Sequence, residues 1–166
     1  SGQLISVEDA CDRILSEDVV ALRCNPPATN SAVDGYGFIG PVGDGSHILD
    51  LAKGRAAAGL PFEGVVASDQ AVRILTGAIL PPGVDTIVLE EDCTIELDRI
   101  AFNGPLKAGA NARDAGEDVT TNTPIFRAGR RLSPTDLSLL ASAGVAEVFV
   151  FTRLRIGILS TGDEIR

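Results

Sequence analysis

Residues 71–104, AVRILTGAILPPGVDTIVLEEDCTIELDRIAFNG, decide the fold class. Ala71–Leu75, Thr86–Leu89 and Thr94–Phe102 are short runs rich in residues that suit a half-buried pleated surface. In the third run Ile95, Leu97 and Arg99 alternate with polar partners. Thr76-Gly77 and Pro81-Pro82-Gly83 separate the runs with residues that turn the chain. Asn103-Gly104 is the strongest short-range hairpin signal in the sequence. Evenly spaced short strands with Gly/Pro turns predict a barrel-like or sandwich-like β module.

The whole chain of 166 residues is consistent with that reading. Eighteen glycines and nine prolines, against six Phe, one Tyr and no Trp, predict many turns around a Val/Ile/Leu/Ala core. Fourteen basic and twenty-three acidic residues leave a net charge of −9. That balance excludes a nucleic-acid or anionic-membrane surface, either of which needs a basic stripe. The 45% apolar share is enough for a packed core. No apolar run reaches the roughly 18 residues of a membrane span, and no signal-peptide pattern opens the chain. Cys11, Cys24 and Cys93 are odd in number and scattered, which fits neither a disulfide framework nor a zinc cluster. A reducing, cytoplasmic setting follows. The absence of methionine reads as a chain trimmed from something larger.

Outside the β module the signals are helical. Ser6 reads as an N-cap with Asp9 three residues on, and Val7, Ala10, Cys11 and Ile14 follow at helical spacing. From Cys24 to Gly45, and again from Lys53 to Ser68, the sequence reads as loop. Ser133-Pro134-Thr135-Asp136 announces a helix whose inner face carries Leu137, Leu140 and Ala141, with Gly144 as its stop. Ala146–Phe151 and the nearly all-apolar Leu154–Leu159 read as strands, the latter of the type buried in a parallel sheet.

Four clusters place carboxylates or hydroxyls beside glycine. In Asn30–Gly37, Asp34 either caps its own backbone in an Asx-turn or is presented from a stiff loop. Thr76-Gly77 after a strand either makes a tight turn or offers a hydroxyl and amides to an oxyanion. Gly109–Asp118 gathers Arg113, Asp114, Glu117 and Asp118, a set able to hold a metal–phosphate group or to pair with itself in solvent. Ser160–Glu164, with Asp163 and Glu164, lies at the carboxyl end of the apolar strand, where open α/β sheets bind ligands. His47 is the only histidine and reads as a surface residue. Glu90, Glu91, Asp92, Glu96 and Asp98 read as a solvated acidic face, and Arg127, Arg130 and Arg131 as surface charges. No Walker or strand-borne G-x-G-x-x-G loop is present.

Together and in this order, these clusters resemble the molybdopterin molybdotransferase family, that is, bacterial MoeA and the E domain of gephyrin. The resemblance rests on Asn30–Gly37, Val72–Ala78 with Pro81-Pro82-Gly83, Gly109–Asp118, Leu137–Gly144 with Ala146-Glu147-Val148, and Ser160–Glu164. Glu17-Asp18-Val19 also fits. Val33, Gly37 and Ala112 depart from the residues frequent in the family and leave the polar groups intact.

The resemblance implies a mixed, mostly β (α+β) fold with few helices. Residues 20–121 would be a barrel-like β domain inserted into a small discontinuous domain of residues 2–19 and 122–144. Residues 145–166 would open a truncated α/β pterin-binding domain. It further implies insertion of molybdate into adenylylated molybdopterin with Mg²⁺ and release of AMP, by a homodimer that works with a molybdopterin adenylyltransferase. The piece alone would be inactive. Asp34, Thr76, Asp118 and Glu164 fall on positions used around the family's cleft, with Arg113 and Asp163 as neighbouring substrate-binding candidates; the metal ligands are left unassigned. A gephyrin-like scaffold that binds partner peptides is the alternative.

Overall fold

The computed structural model describes residues 2–162, and the chain divides into two compact units. Its strands are β1 (Gly2–Ser6), β2 (Val19–Val20), β3 (Asn30–Ser31), β4 (Gly35–Phe38), β5 (Val42–Ala56), β6 (Gln70–Ile74), β7 (Thr86–Leu89), β8 (Cys93–Glu96), β9 (Arg99–Leu106), β10 (Ala112–Arg113), β11 (Pro124–Phe126) and β12 (Glu147–Phe151). Among the described residues there is one α-helix, α1, spanning Pro134–Ser142. The fold is mostly β, as the strand spacing predicts.

Unit 1 is discontinuous, made from residues 1–22 and 122–166. Antiparallel pairs β1–β12 and β2–β11 frame it. Leu15, Leu132, Leu140, Val148 and Val150 form its core with Val7 and Phe126. The predicted helix α1 is present and its start is secured by a capping box: Asp136 N–H donates to Ser133 Oγ, and Ser133 N–H donates to Asp136 Oδ2. Arg130 adds a two-pronged ion pair, Nη2 to Oδ1 at 2.8 Å and Nε to Oδ2 at 3.1 Å, while its guanidinium lies over the Phe126 ring. Arg130 is therefore part of the packing rather than a loose surface charge. Leu140 is buried and Leu137 partly so, but Ala141 is exposed and Ala143 is buried in its place.

Two expectations are corrected in this unit. The helix foreseen after Ser6 is a single 3-10 turn, Val7–Asp9, because the chain breaks into a left-handed conformation at Asp12 (φ 63°) and Ile14 is left exposed. The second concerns the chain that follows β12, the strand whose Val148 and Val150 enter the core of unit 1. Leu154–Leu159 forms no strand; Leu154, Ile156, Ile158 and Leu159 are exposed, with no neighbouring strand to pair with among the described residues.

Unit 2, residues 23–121, is the β module. One six-stranded sheet in the order β7-β4-β6-β5-β9-β8 curls into a half-barrel. All its pairings are antiparallel except β5–β6. Phe38 and Phe102 stack at 5.1 Å in one core cluster with Tyr36, Val88 and Ile100. Ile74 and Ile87 centre a second cluster. Burying each of these large side chains contributes about 2 kcal/mol.

The strand boundaries differ from the sequence reading where glycine misleads it. β5 runs through 42–45 and 53–56, which read as loop; register shifts between Val42/Gly45 and Leu51/Arg55 let a glycine-bearing strand bend and stay paired. Asn103-Gly104 makes no hairpin turn. It sits inside β9 opposite Ser46 and Gly45, and a Cβ on Gly104 would lie 2.0 Å from the Gly43 carbonyl oxygen. The turn falls instead at Leu97-Asp98, between paired Glu96 and Arg99, with Leu97 at φ 55° and almost wholly exposed.

Candidate functional site

The site is built on the short strand β3 in unit 2. On one side β3 pairs with β10, setting Ser31 opposite Ala112 and Asn30 opposite Arg113. On its other side Ser31 N–H donates to Ala78 carbonyl oxygen, Gly77 N–H donates to Ser31 carbonyl oxygen, and Asn30 bridges to Ile79. Three stretches far apart in sequence, around 30–34, 76–79 and 112–118, thus become one ribbon. Buried Ser31 fixes the chain ahead of Asp34 by donating its hydroxyl to Val33 carbonyl oxygen at 2.6 Å.

Asp34 stands at the entry to β4. Gly35 beside it must be glycine: an added Cβ would lie 2.0 Å from the carbonyl oxygen of Val88 on the neighbouring β7. The Asp34 side chain does not cap its own backbone. Its Oδ1 accepts from both Thr76 N–H and Thr76 Oγ1, each at 2.7 Å. The Thr76 backbone donor, then its hydroxyl, then the more distant Arg73 charge hold the Asp34 carboxyl below the usual carboxylate range, although burial opposes them. Asp34 and Thr76 are both exposed, and Oδ2 of Asp34 accepts no hydrogen bond among the described residues. The result is an ionised carboxylate, oriented through one oxygen and open at the other.

Arg113 and Asp118 form the second pair. Arg113 Nη2 donates to Asp118 Oδ1 at 2.7 Å, and Arg113 Nε donates to Glu117 Oε1 at 3.3 Å. Asp118 Oδ2 accepts from Asn25 Nδ2 at 3.1 Å, and Asp118 N–H donates to the Asn25 carbonyl oxygen. Both Asp118 oxygens are therefore occupied. Its role here is to aim the guanidinium, which these carboxylates hold firmly charged. The Gly109–Asp118 cluster does pair with itself, yet it leaves Arg113 half-buried and oriented rather than loose in solvent.

Each pair is joined directly, and the two pairs are carried on segments that β3 knits together; no bond runs between them. Asp163 and Glu164 lie outside the described residues. Three contributors carry no functional signal in the sequence. Asn25 read only as a helix blocker, and Arg73 as one residue of a strand. Glu90, read as part of a solvated acidic face, is ion-paired to Arg73 at 2.5 Å. His47 is engaged locally, its Nε2 2.9 Å from the Gly43 carbonyl oxygen. Among the described residues no three His, Cys, Asp or Glu side chains converge as a metal site. No helix among them is long and apolar enough to cross a membrane. A groove of about 560 Å³ lies at β5, β8 and β9, lined by Ile48, Leu51, Leu97 and Arg99 among others, and holds none of the candidate residues.

Comparison with known proteins gives one answer. A family model for the MoeA N-terminal region (domain I and II) matches residues 1–144. The molybdopterin molybdenumtransferase of Haemophilus influenzae is 38% identical over 165 residues, covering 98% of this chain and 40% of that protein. The enzyme of the same name from Synechococcus elongatus is 34% identical, covering 93% of this chain and 40% of its own length. The crystal structure of the molybdopterin biosynthesis MoeA protein from Pyrococcus horikoshii matches with a TM-score of 0.82 at 28% identity, over 90% of this chain and 41% of that one. The chain spans about two fifths of the length of the curated relatives it matches.

Proposed function

Because the chain belongs to the MoeA family, as its N-terminal region, we propose that it supplies one wall of the reaction site of a molybdopterin molybdenumtransferase in molybdenum cofactor biosynthesis. The supporting observation is the Asp34–Thr76 unit. It is an exposed carboxylate, fixed by two donors on one oxygen and open on the other, on the ribbon that carries an aimed arginine.

The proposed substrates are adenylylated molybdopterin and molybdate, both anionic, with AMP as the leaving product. Arg113 supplies the anion side: Glu117 and Asp118 take two of its N–H directions and leave the rest of the fork for a phosphate or oxoanion. Asp34 cannot serve as an acid at neutral pH, since its hydrogen bonds favour the ionised form. Its open Oδ2 can accept a hydrogen bond from a ligand or hold a hydrated cation.

Magnesium is usually bound through one or two carboxylates, with substrate phosphates and water completing the shell. Asp34 fits that requirement as a single ligand with one oxygen open, whereas each oxygen of Asp118 already accepts one hydrogen bond. Bound there, Mg²⁺ would neutralise charge on the phosphates. Glu164 and Asp163 are proposed to join the site from the stretch beyond Gly162. A cytoplasmic homodimer that receives its pterin from a molybdopterin adenylyltransferase completes the proposal.

The test is molybdate-dependent AMP release by the full-length protein. Asp34→Ala and Asp118→Ala are expected to abolish restoration of molybdoenzyme activity in a deficient strain, and the 166-residue chain alone is expected to release no AMP. Restoration by both variants would refute the assigned roles.

A further inference from the structure

Arg73 is a charged side chain that links the strand following Asp34 to both of its neighbours in the sheet. It sits on β6 opposite Tyr36 of β4, and Tyr36 in turn stands opposite Val88 of β7. From β6 the guanidinium reaches across the Tyr36 ring, 5.1 Å from its centroid, to Glu90 just beyond β7, where Nη2 meets Oε2 at 2.5 Å. Glu90 then closes the path to the candidate site: its backbone N–H donates to the Asp34 carbonyl oxygen at 3.1 Å. Three residues after Arg73 on the same segment, Thr76 grips the Asp34 carboxylate from the other side. Asp34 is thus held at its carbonyl by Glu90 and at its carboxylate by Thr76, and Arg73 connects the two holding points.

The other terminal nitrogen of Arg73 decides what kind of role this is. Nη1 is buried and has no hydrogen-bond partner. It is screened from solvent, so it cannot meet a ligand at the surface where Asp34 is exposed. An unsatisfied buried donor is a cost that an aliphatic side chain at this place would avoid. What the arginine contributes, and an aliphatic residue could not, is a planar cation that stacks on Tyr36 while pairing with Glu90.

We propose that Arg73 is a positioning residue for Asp34, acting through Glu90 and Tyr36 to fix the carboxylate whose open oxygen faces the ligand. The proposal deepens the reading of Asp34 as a ligand-handling group and rests on it. Supporting residues of this kind, when removed, lower affinity or activity roughly 10- to 100-fold.

The experiment uses the full-length protein with adenylylated molybdopterin, molybdate and Mg²⁺, following AMP release. Arg73→Met is expected to lower kcat about 10-fold or more with KM for the pterin changed less than about 2-fold. Arg73→Lys should recover part of that loss, because it restores the charge beside Glu90 without the planar stack. Glu90→Gln, which leaves the backbone donor to Asp34 in place, should reproduce part of the loss, and adding it to Arg73→Met should cost little more. A crystal structure of Arg73→Met should show Asp34 Oδ1 displaced from Thr76. Unchanged kcat in both Arg73→Met and Glu90→Gln overturns the proposal. So does a loss in which the Asp34–Thr76 bonds stay at 2.7 Å and kcat falls only in proportion to the folded fraction. If Arg73→Met does not fold, Glu90→Gln decides by the same criteria. Asp34→Asn, run alongside, separates the two levels. Full activity in that variant defeats the reading of the site itself, whereas its loss with Arg73 variants unaffected defeats only the positioning role.

Discussion

Asp136 in unit 1 and Asp34 in unit 2 are both carboxylates held ionised by hydrogen bonds, yet they are built for opposite ends. Asp136 is buried, and both its oxygens are consumed: Oδ1 by Arg130, Oδ2 by Arg130 and Ser133 N–H. The Arg130 bonds first, then the Ser133 donor, pull its carboxyl down to about 2. Asp34 is exposed and spends one oxygen on Thr76, leaving the other open. A lowered carboxyl therefore does not by itself mark a functional group; the role proposed for Asp34 rests on its exposure and its open oxygen.

The largest effect on the fold around Asp34 should come from its neighbour. Gly35→Ala would drive a Cβ into the Val88 carbonyl, and because the obstacle is backbone, β4 and β7 must part. A loss of about 3 kcal/mol in urea-induced unfolding is expected, within the range for overpacked sites. Asp136→Ala removes the capping box and strands Arg130, and should lose about 2 kcal/mol by the same measurement.

The pH dependence follows with a definite sign. Asp136 titrates lower when folded than when unfolded, so its contribution is complete above the ordinary carboxylate value and is lost as pH falls from about 4 toward about 2. The loss amounts to about 2 kcal/mol, and Asp136→Asn should flatten that part of the acid-unfolding curve. Asp34→Asn keeps an acceptor for Thr76 at an exposed position and should leave stability close to that of the parent. A stability loss for Asp34→Asn as large as that of Asp136→Ala would erase the contrast between the two carboxylates.

What could be read from the sequence was local. Helix α1 was legible because its cap, its proline and its acid lie within four residues, and all of that chemistry is satisfied among themselves. β6 and β7 were legible because β-branched runs between Gly/Pro turns leave few alternatives. The failures share a cause: at each, a distant partner overruled the local signal. Gly104 sits in a strand because Gly43 passes close by, and Leu97 takes the turn in its place. The segment after Ser6 stays a single turn because its flanks pair with β12 and the core of unit 1. At the site, Asp34 alone was ambiguous between self-capping and presentation. Its partner Thr76 lies 42 residues away, and nothing in either tetrapeptide specifies the bond. The order of the clusters along the chain carried the information that each cluster lacked.

The contrast sets a proposed ligand-handling carboxylate, Asp34, against one that secures the fold, Asp136. The most direct measurement is molybdate-dependent AMP release, per folded molecule, by full-length protein carrying Asp34→Asn or Asp136→Asn. Asp34→Asn should fold like the parent and lose turnover by about 100-fold or more, as removal of a single preorganised polar group can do. Asp136→Asn should be less stable and keep its turnover. Parental turnover in folded Asp34→Asn would refute the ligand-handling role.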